Sequence, residues 1–138
     1  MSLQHRLGMS LLALLCTVSG CSQAVSQPTS KVRALVKYRG AILTDVRMDV
    51  FQQVAAEWKM VLSGIPVVAE PFYLLPVPKA PDFDPKLPTR VTLESIGHNV
   101  LPIKSIYLDP IRSPIKLLIP SISTDPIVVE LPDGAIGK

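Results

Sequence analysis

The side chain best suited to moving a proton is His98. It stands in a Gly97-His98-Asn99 turn, three positions after Ser95. A serine nucleophile needs such a base within hydrogen-bond reach and an acid behind that base. Asp45, Asp82, Asp109 and Asp125 could supply the acid. Nothing in the spacing brings any of them to His98, and no Gly-x-Ser-x-Gly elbow is present. A lone turn histidine is most often a solvated turn residue, so no catalytic residue is expected and the protein reads as non-enzymatic. Asp82-Phe83-Asp84 sets two carboxylates at i, i+2, but the glycine and glutamate of a calcium loop do not follow. They read as solvated loop charges. No glycine-rich run offers backbone amides to a phosphate. No metal and no cofactor are expected.

The charge pattern narrows the partners. Fourteen Lys and Arg face eleven Asp and Glu over 138 residues, a formal charge of +3. The basic residues are scattered singly, so no patch forms that would neutralise a phosphate backbone, and nucleic acid is not an expected partner. An apolar share of 48% exceeds what a wholly disordered chain carries.

Chemistry of another kind is written at the start of the chain. Met1–Arg6 is short and polar and carries Arg6. Leu7–Thr17 is apolar and uncharged, and Val18-Ser19-Gly20-Cys21 follows. A basic start, an apolar stretch and small residues before a cut describe a secretory signal peptide. The run is too short for a spanning helix, which needs about 20 apolar residues. Val18-Ser19-Gly20-Cys21 resembles the lipobox of bacterial lipoproteins: an aliphatic residue, two small residues and the cysteine that receives lipid. The resemblance covers the first 25 or so residues and implies cleavage before Cys21, diacylation of its thiol and a membrane anchor. Two or three acyl chains make such attachment durable, since each buried methylene contributes about 0.8 kcal/mol. The next residue is Ser22. An Asp there resembles an inner-membrane retention signal in enterobacterial lipoproteins, so Ser22 favours the outer membrane, facing the periplasm. Cleavage also removes Cys16, which leaves no thiol except the lipidated one. Disulfides, zinc-cysteine sites and a cysteine nucleophile are then excluded.

These features need a scaffold. The chain divides into a signal peptide (1–20), a lipidated tether (21–30) and a single β-rich domain (31–138). Ser22–Ser30 is small and uncharged, and reads as a flexible link that reaches at most about 30 Å. Val32–Tyr38 alternates as a strand, and Arg39-Gly40 suits a two-residue turn. Residues 41–47 fit strand or helix, with strand favoured. Val46, Val50, Val54, Trp58, Val61 and Leu62 share one helical stripe, with Gly64 placed as the residue past a helix end. That pattern predicts an amphipathic helix over Met48–Ser63. Ile65–Glu70 reads as a short buried strand, and Arg90–Ile96 as another.

The fourteen prolines fall mostly in two groups. Six lie in Pro71–Pro88, which excludes a helix and a central strand there and, as polyproline II, would span roughly 55 Å. Six more, from Pro102 to Pro132, recur at even spacing. Even spacing places their missing N–H groups on one edge of a strand, which predicts proline-tolerant edge strands. Asp109-Pro110 and Asp125-Pro126 read as turn-to-strand junctions. Residues 132–138 read as a frayed end.

Phe72, Tyr73, Leu74 and Leu75 open the first proline group. Four large apolar side chains in a loop either fold onto the core or meet a partner, which makes them partner-contact candidates. The edge strands after Val100 are a second candidate, because an edge accepts another strand. The expected fold is mainly β, a small β-sandwich or mixed sheet with one amphipathic helix, with α+β as the alternative. The expected function is a lipid-anchored component of the bacterial cell envelope that docks other envelope proteins, in a secretion, conjugation, pilus or phage-related assembly. A periplasmic lipoprotein that binds a small ligand in an apolar cavity of ~300 Å³ or more is the alternative.

Overall fold

The computed structural model describes residues 32–98, 100–117 and 125–138. The segments expected to be a signal peptide, a lipobox at Cys21 and a tether lie outside the described residues, as do Asn99 and Pro120. The strands are β1 (Val32–Tyr38), β2 (Ala41–Ile42), β3 (Val46–Val54), β4 (Glu57–Gly64), β5 (Phe72–Pro76), β6 (Thr89–Ser95) and β7 (Ile127–Leu131), with a 3-10 turn at Ser105–Tyr107. The fold is mainly β, as expected. The strands form one curled sheet in the order β2-β1-β5-β4-β3-β6, with β7 beside β1. Every pairing is antiparallel except β1 with β7.

β1 organises one half of the curl. Lys37 and Tyr38 pair with β2 and with β7 at once, and Ala34 pairs with β5 and β7 at once. A strand has two edges, so β7 holds one edge and β2 and β5 divide the other. The turn into β2 has positive φ at Arg39 and Gly40, as the two-residue turn requires. β5 joins the halves: its first residues pair with β1, and Leu75 and Pro76 pair with β4.

The interior is a single apolar cluster, contributed by Ala34 and Val36 of β1, Met48 and Val50 of β3, Leu74 of β5, Val91 and Leu93 of β6, and Val129 and Leu131 of β7. In β1, β3 and β6 these alternate with Leu35, Asp49 and Thr92, which face the opposite side of the sheet and are buried there too. Burial of this apolar surface, at about 25 cal/mol per Å², is the main force holding the curl.

The helix expected over Met48–Ser63 does not form. The segment is the β3–β4 hairpin, with Ala55 and Ala56 at its tip, φ 50° and 67°. Two devices disguise it. The tip lacks the Asn-Gly or Asp-Gly that usually marks a turn with two positive φ values. Near Gly64 the register slips: Val50 faces Leu62 but Phe51 faces Met60, so Val61 is an extra, bulged residue. The bulge turns Val61 and Leu62 both inward, where a regular strand would bury one. Two consecutive buried residues are what completed the helical stripe. The freed carbonyl of Val61 accepts a hydrogen bond from the Val77 amide at 3.0 Å. Gly64 ends β4 rather than a helix, and it is there for close approach. A Cβ on it would stand 2.7 Å from the Tyr73 carbonyl oxygen and 2.9 Å from the Phe72 ring.

Other expectations change too. Ile65–Glu70 is a non-strand connection with Ile65, Val67 and Val68 exposed. The proline-rich segment does contain an interior strand, because Pro71 precedes β5 and Pro76 is its last residue, leaving the amides between them free to pair. Beyond Pro76 the chain makes turns closed by Ala80 to Val77 and Leu87 to Asp84, not one polyproline rod. Pro102, Pro110 and Pro114 lie in irregular chain. Among the described residues after Val100, only β7 is a strand, bracketed by Pro126 and Pro132. Asp109-Pro110 does turn the chain: the Asp109 carbonyl accepts from Arg112 and Ser113. The end is not frayed. Ala135 is buried, its carbonyl accepts from Lys104, and Gly137 donates to Pro102.

Candidate functional site

Of the residues weighed for catalysis, Ser95 and Asp109 are held in structural roles. The Ser95 hydroxyl accepts the Leu101 amide at 2.6 Å, while His98 is exposed in its turn. Asp84 and Asp109 each accept, through Oδ1, the amide two residues on, Lys86 and Ile111, at 2.9 and 2.8 Å. This is the local turn bond that aspartate favours. Asp82 is exposed. Among the described residues no group of three or more His, Cys, Asp or Glu side chains is placed to hold a metal ion.

Buried polar side chains also have partners. Asp49, 3% exposed, accepts from Arg47 Nε at 3.0 Å and from the Ser63 hydroxyl at 2.6 Å. Arg47 reaches on to Glu94. Gln52 is fully buried and grips the proline-rich loop: its Oε1 accepts the Asp84 amide at 2.9 Å and its Nε2 donates to the Asp84 carbonyl. Ser113, also fully buried, donates its hydroxyl to the Val91 carbonyl. Arg90 donates to the Ser113 carbonyl at 2.6 Å and lies over the Trp58 ring. On the surface, the hydrogen bond and charge of Asp133 raise the Arg39 guanidinium above its usual range.

The four apolar candidates divide by parity. Phe72 and Leu74 point into the core, 8% and 1% exposed. Tyr73 and Leu75 point outward, 51% and 63% exposed. One strand thus serves both the interior and a surface. Ile65, Val67 and Val68 of the preceding connection are exposed as well, and Gly64 packs against Tyr73, so that connection leaves the sheet beside this strand.

A second surface lies in the chain after Val100, the other region expected to accept a strand. Residues 113–116 run along the outer edge of β6: Val91 donates to the Ile115 carbonyl at 3.0 Å, and Arg90 bridges to Lys116. One backbone bond and one bridge thus tie this segment to β6, while β7 lies at the far side of β1. Between 113–117 and β7 lies an open cleft of about 320 Å³. Tyr107, Ile115, Leu117, Val128 and Val129 supply apolar wall, and Lys116 and Glu130 supply charge. The cleft is a seam: among the described residues no strand pairing joins β6 or 113–117 to β7. No protein-family model, no curated protein and no solved structure matches this chain.

Proposed function

We propose that the protein is a lipid-anchored lipoprotein of the bacterial envelope. In this reading it sits in the outer membrane facing the periplasm and acts as a non-enzymatic docking component of an envelope assembly. Anchoring rests on Val18-Ser19-Gly20-Cys21 directly after an apolar run. We read the curled sheet as a small β-sandwich whose two halves share β5. The observation that carries docking is the seam. Two extended backbones, 113–117 and β7, flank a cleft with apolar walls, and a partner's extended segment laid between them would add a strand to the sheet. Tyr73 and Leu75 remain candidates for contact, while Phe72 and Leu74 serve the core.

The test has two parts. Cys21→Ser should abolish labelling by a palmitate analogue, and persistent labelling would refute the anchor. A photo-crosslinker at exposed Lys116, in the native envelope, should give an adduct with one defined envelope protein. That adduct should disappear in Val128→Asp and should not form from position 53. Adducts that survive Val128→Asp would refute the seam.

A periplasmic lipoprotein that binds a small ligand is the second reading, favoured by the volume of the cleft, which lies in the range of small-molecule sites. It predicts that Val128→Asp removes saturable uptake of a small apolar molecule and leaves protein adducts unchanged.

A further inference from the structure

From Met60 to Pro78 the chain carries one charged side chain, Glu70. Over this stretch Ile65, Val67, Val68, Tyr73 and Leu75 are half or more exposed, Val67 the most at 87%. Exposed apolar residues in one segment mark a surface that something covers. The sheet register says where that surface lies. Val32, the first described residue, is the Cα partner of Leu74. Strand spacing of about 4.8 Å and a rise of about 3.3 Å per residue put Val32 about 6 Å from both Tyr73 and Leu75. Gly64 stands against Phe72 and Tyr73, so Ile65 starts beside the same strand. The chain therefore enters the domain beside Tyr73 and Leu75, and Arg33, the Cα partner of Tyr73, shares their face.

We propose that this surface, the 65–69 connection with Tyr73 and Leu75, rests on the lipid bilayer and fixes the orientation of the domain. The proposal rests on the reading of Cys21 as a lipid anchor. Ten residues lie between Cys21 and Val32, and eleven Cα–Cα steps limit their distance to about 40 Å, so the Val32 end of the domain is the one tied to the membrane. Valine and isoleucine enter the acyl boundary, and a tyrosine beside them suits the headgroup level, where its ring is buried and its hydroxyl stays wet. The seam between 113–117 and β7 is then left for a protein.

The experiment uses the full lipidated chain in vesicles of phosphatidylethanolamine and phosphatidylglycerol. Cys21 is the only cysteine after residue 20, so Val67→Cys and, separately, Val68→Cys each introduce one free thiol for an environment-sensitive dye. Glu57→Cys, at the far end of β4, is the comparison site. Dye at 67 or 68 should be quenched by nitroxide carried on lipid and shielded from iodide, and dye at 57 should show the reverse. Mass measurement of the same preparation reports acylation of Cys21. Iodide access at 67 and 68 with Cys21 acylated overturns the seating alone. Shielding from both quenchers means a protein covers the surface, and overturns it too. An unmodified Cys21 overturns the anchor reading, and the seating with it.

Discussion

Gly64→Ala places a methyl group where β4 meets β5. The new Cβ would stand 2.7 Å from the Tyr73 carbonyl oxygen, about 0.7 Å inside ordinary contact at 3.4 Å, and 2.9 Å from two ring carbons of Phe72. The oxygen belongs to backbone within a paired strand and cannot swing away, so the strands must part. Overpacking of this kind costs about 1–3 kcal/mol. Alanine narrows the unfolded ensemble relative to glycine and returns about 0.5–1 kcal/mol. The net loss falls within about 0–2.5 kcal/mol and centres at about 1 kcal/mol, which in a domain of this size lowers Tm by roughly 4–8 °C. Thermal melts of the two chains by circular dichroism measure it. The cause is separable from a generic glycine effect. In a Phe72→Leu background the ring contacts vanish and only the carbonyl contact remains. Gly64→Ala should then cost less, a coupling of at least about 0.5 kcal/mol. An unchanged or raised Tm, or equal cost in both backgrounds, would refute the reasoning.

Three further outcomes are expected. Ala55→Asn with Ala56→Gly should stabilise the chain by about 1 kcal/mol, because both positions hold positive φ that alanine resists; denaturant midpoints check it. Gln52→Leu should destabilise by about 1–3 kcal/mol and speed hydrogen exchange at the Asp84 amide, which loses its buried acceptor. Deleting residues 72–88 should abolish cooperative unfolding, since β5 lies between β1 and β4 and supplies Phe72 and Leu74 to the core. A cooperative melt of that variant would show that β5 is dispensable.

The sequence carried the fold class and the strands whose local chemistry agrees with their tertiary role. β1 is bounded as its alternation says, the Arg39-Gly40 turn has the backbone its residues suit, and β6 is offset by one residue. It misled where two periods overlapped. Val46, Val50 and Val54 satisfy a helix stripe and a strand face alike, and the bulge at Val61 tipped the count to the helix. Proline was read as excluding an interior strand, yet it punishes only the amide it removes, and β5 has prolines at its limits. The clip of 135–137 onto 102–104 is made by backbone groups, which no side-chain pattern announces. On the candidate site, parity within Phe72–Leu75 was open to inspection, but the choice of buried partner was not. The seam lies in the chain after Val100, but which two segments flank it depended on the topology.

The parallel pairing of β7 with β1 has a kinetic meaning. Ala34 and Ile127 are paired across about 90 residues of chain, so one edge of β1 waits for residues made that much later. At ~5–20 residues per second, synthesis takes roughly 5–20 s to supply them. Until then β2 and β5 can fill one edge of β1 between them, and its other edge is open to any passing strand. Closing so long a loop must be accomplished before the pairing returns any energy, which sets folding in the slow, millisecond-to-second class of β proteins. The chain stays unfinished, and therefore threadable, until its C-terminal strand arrives.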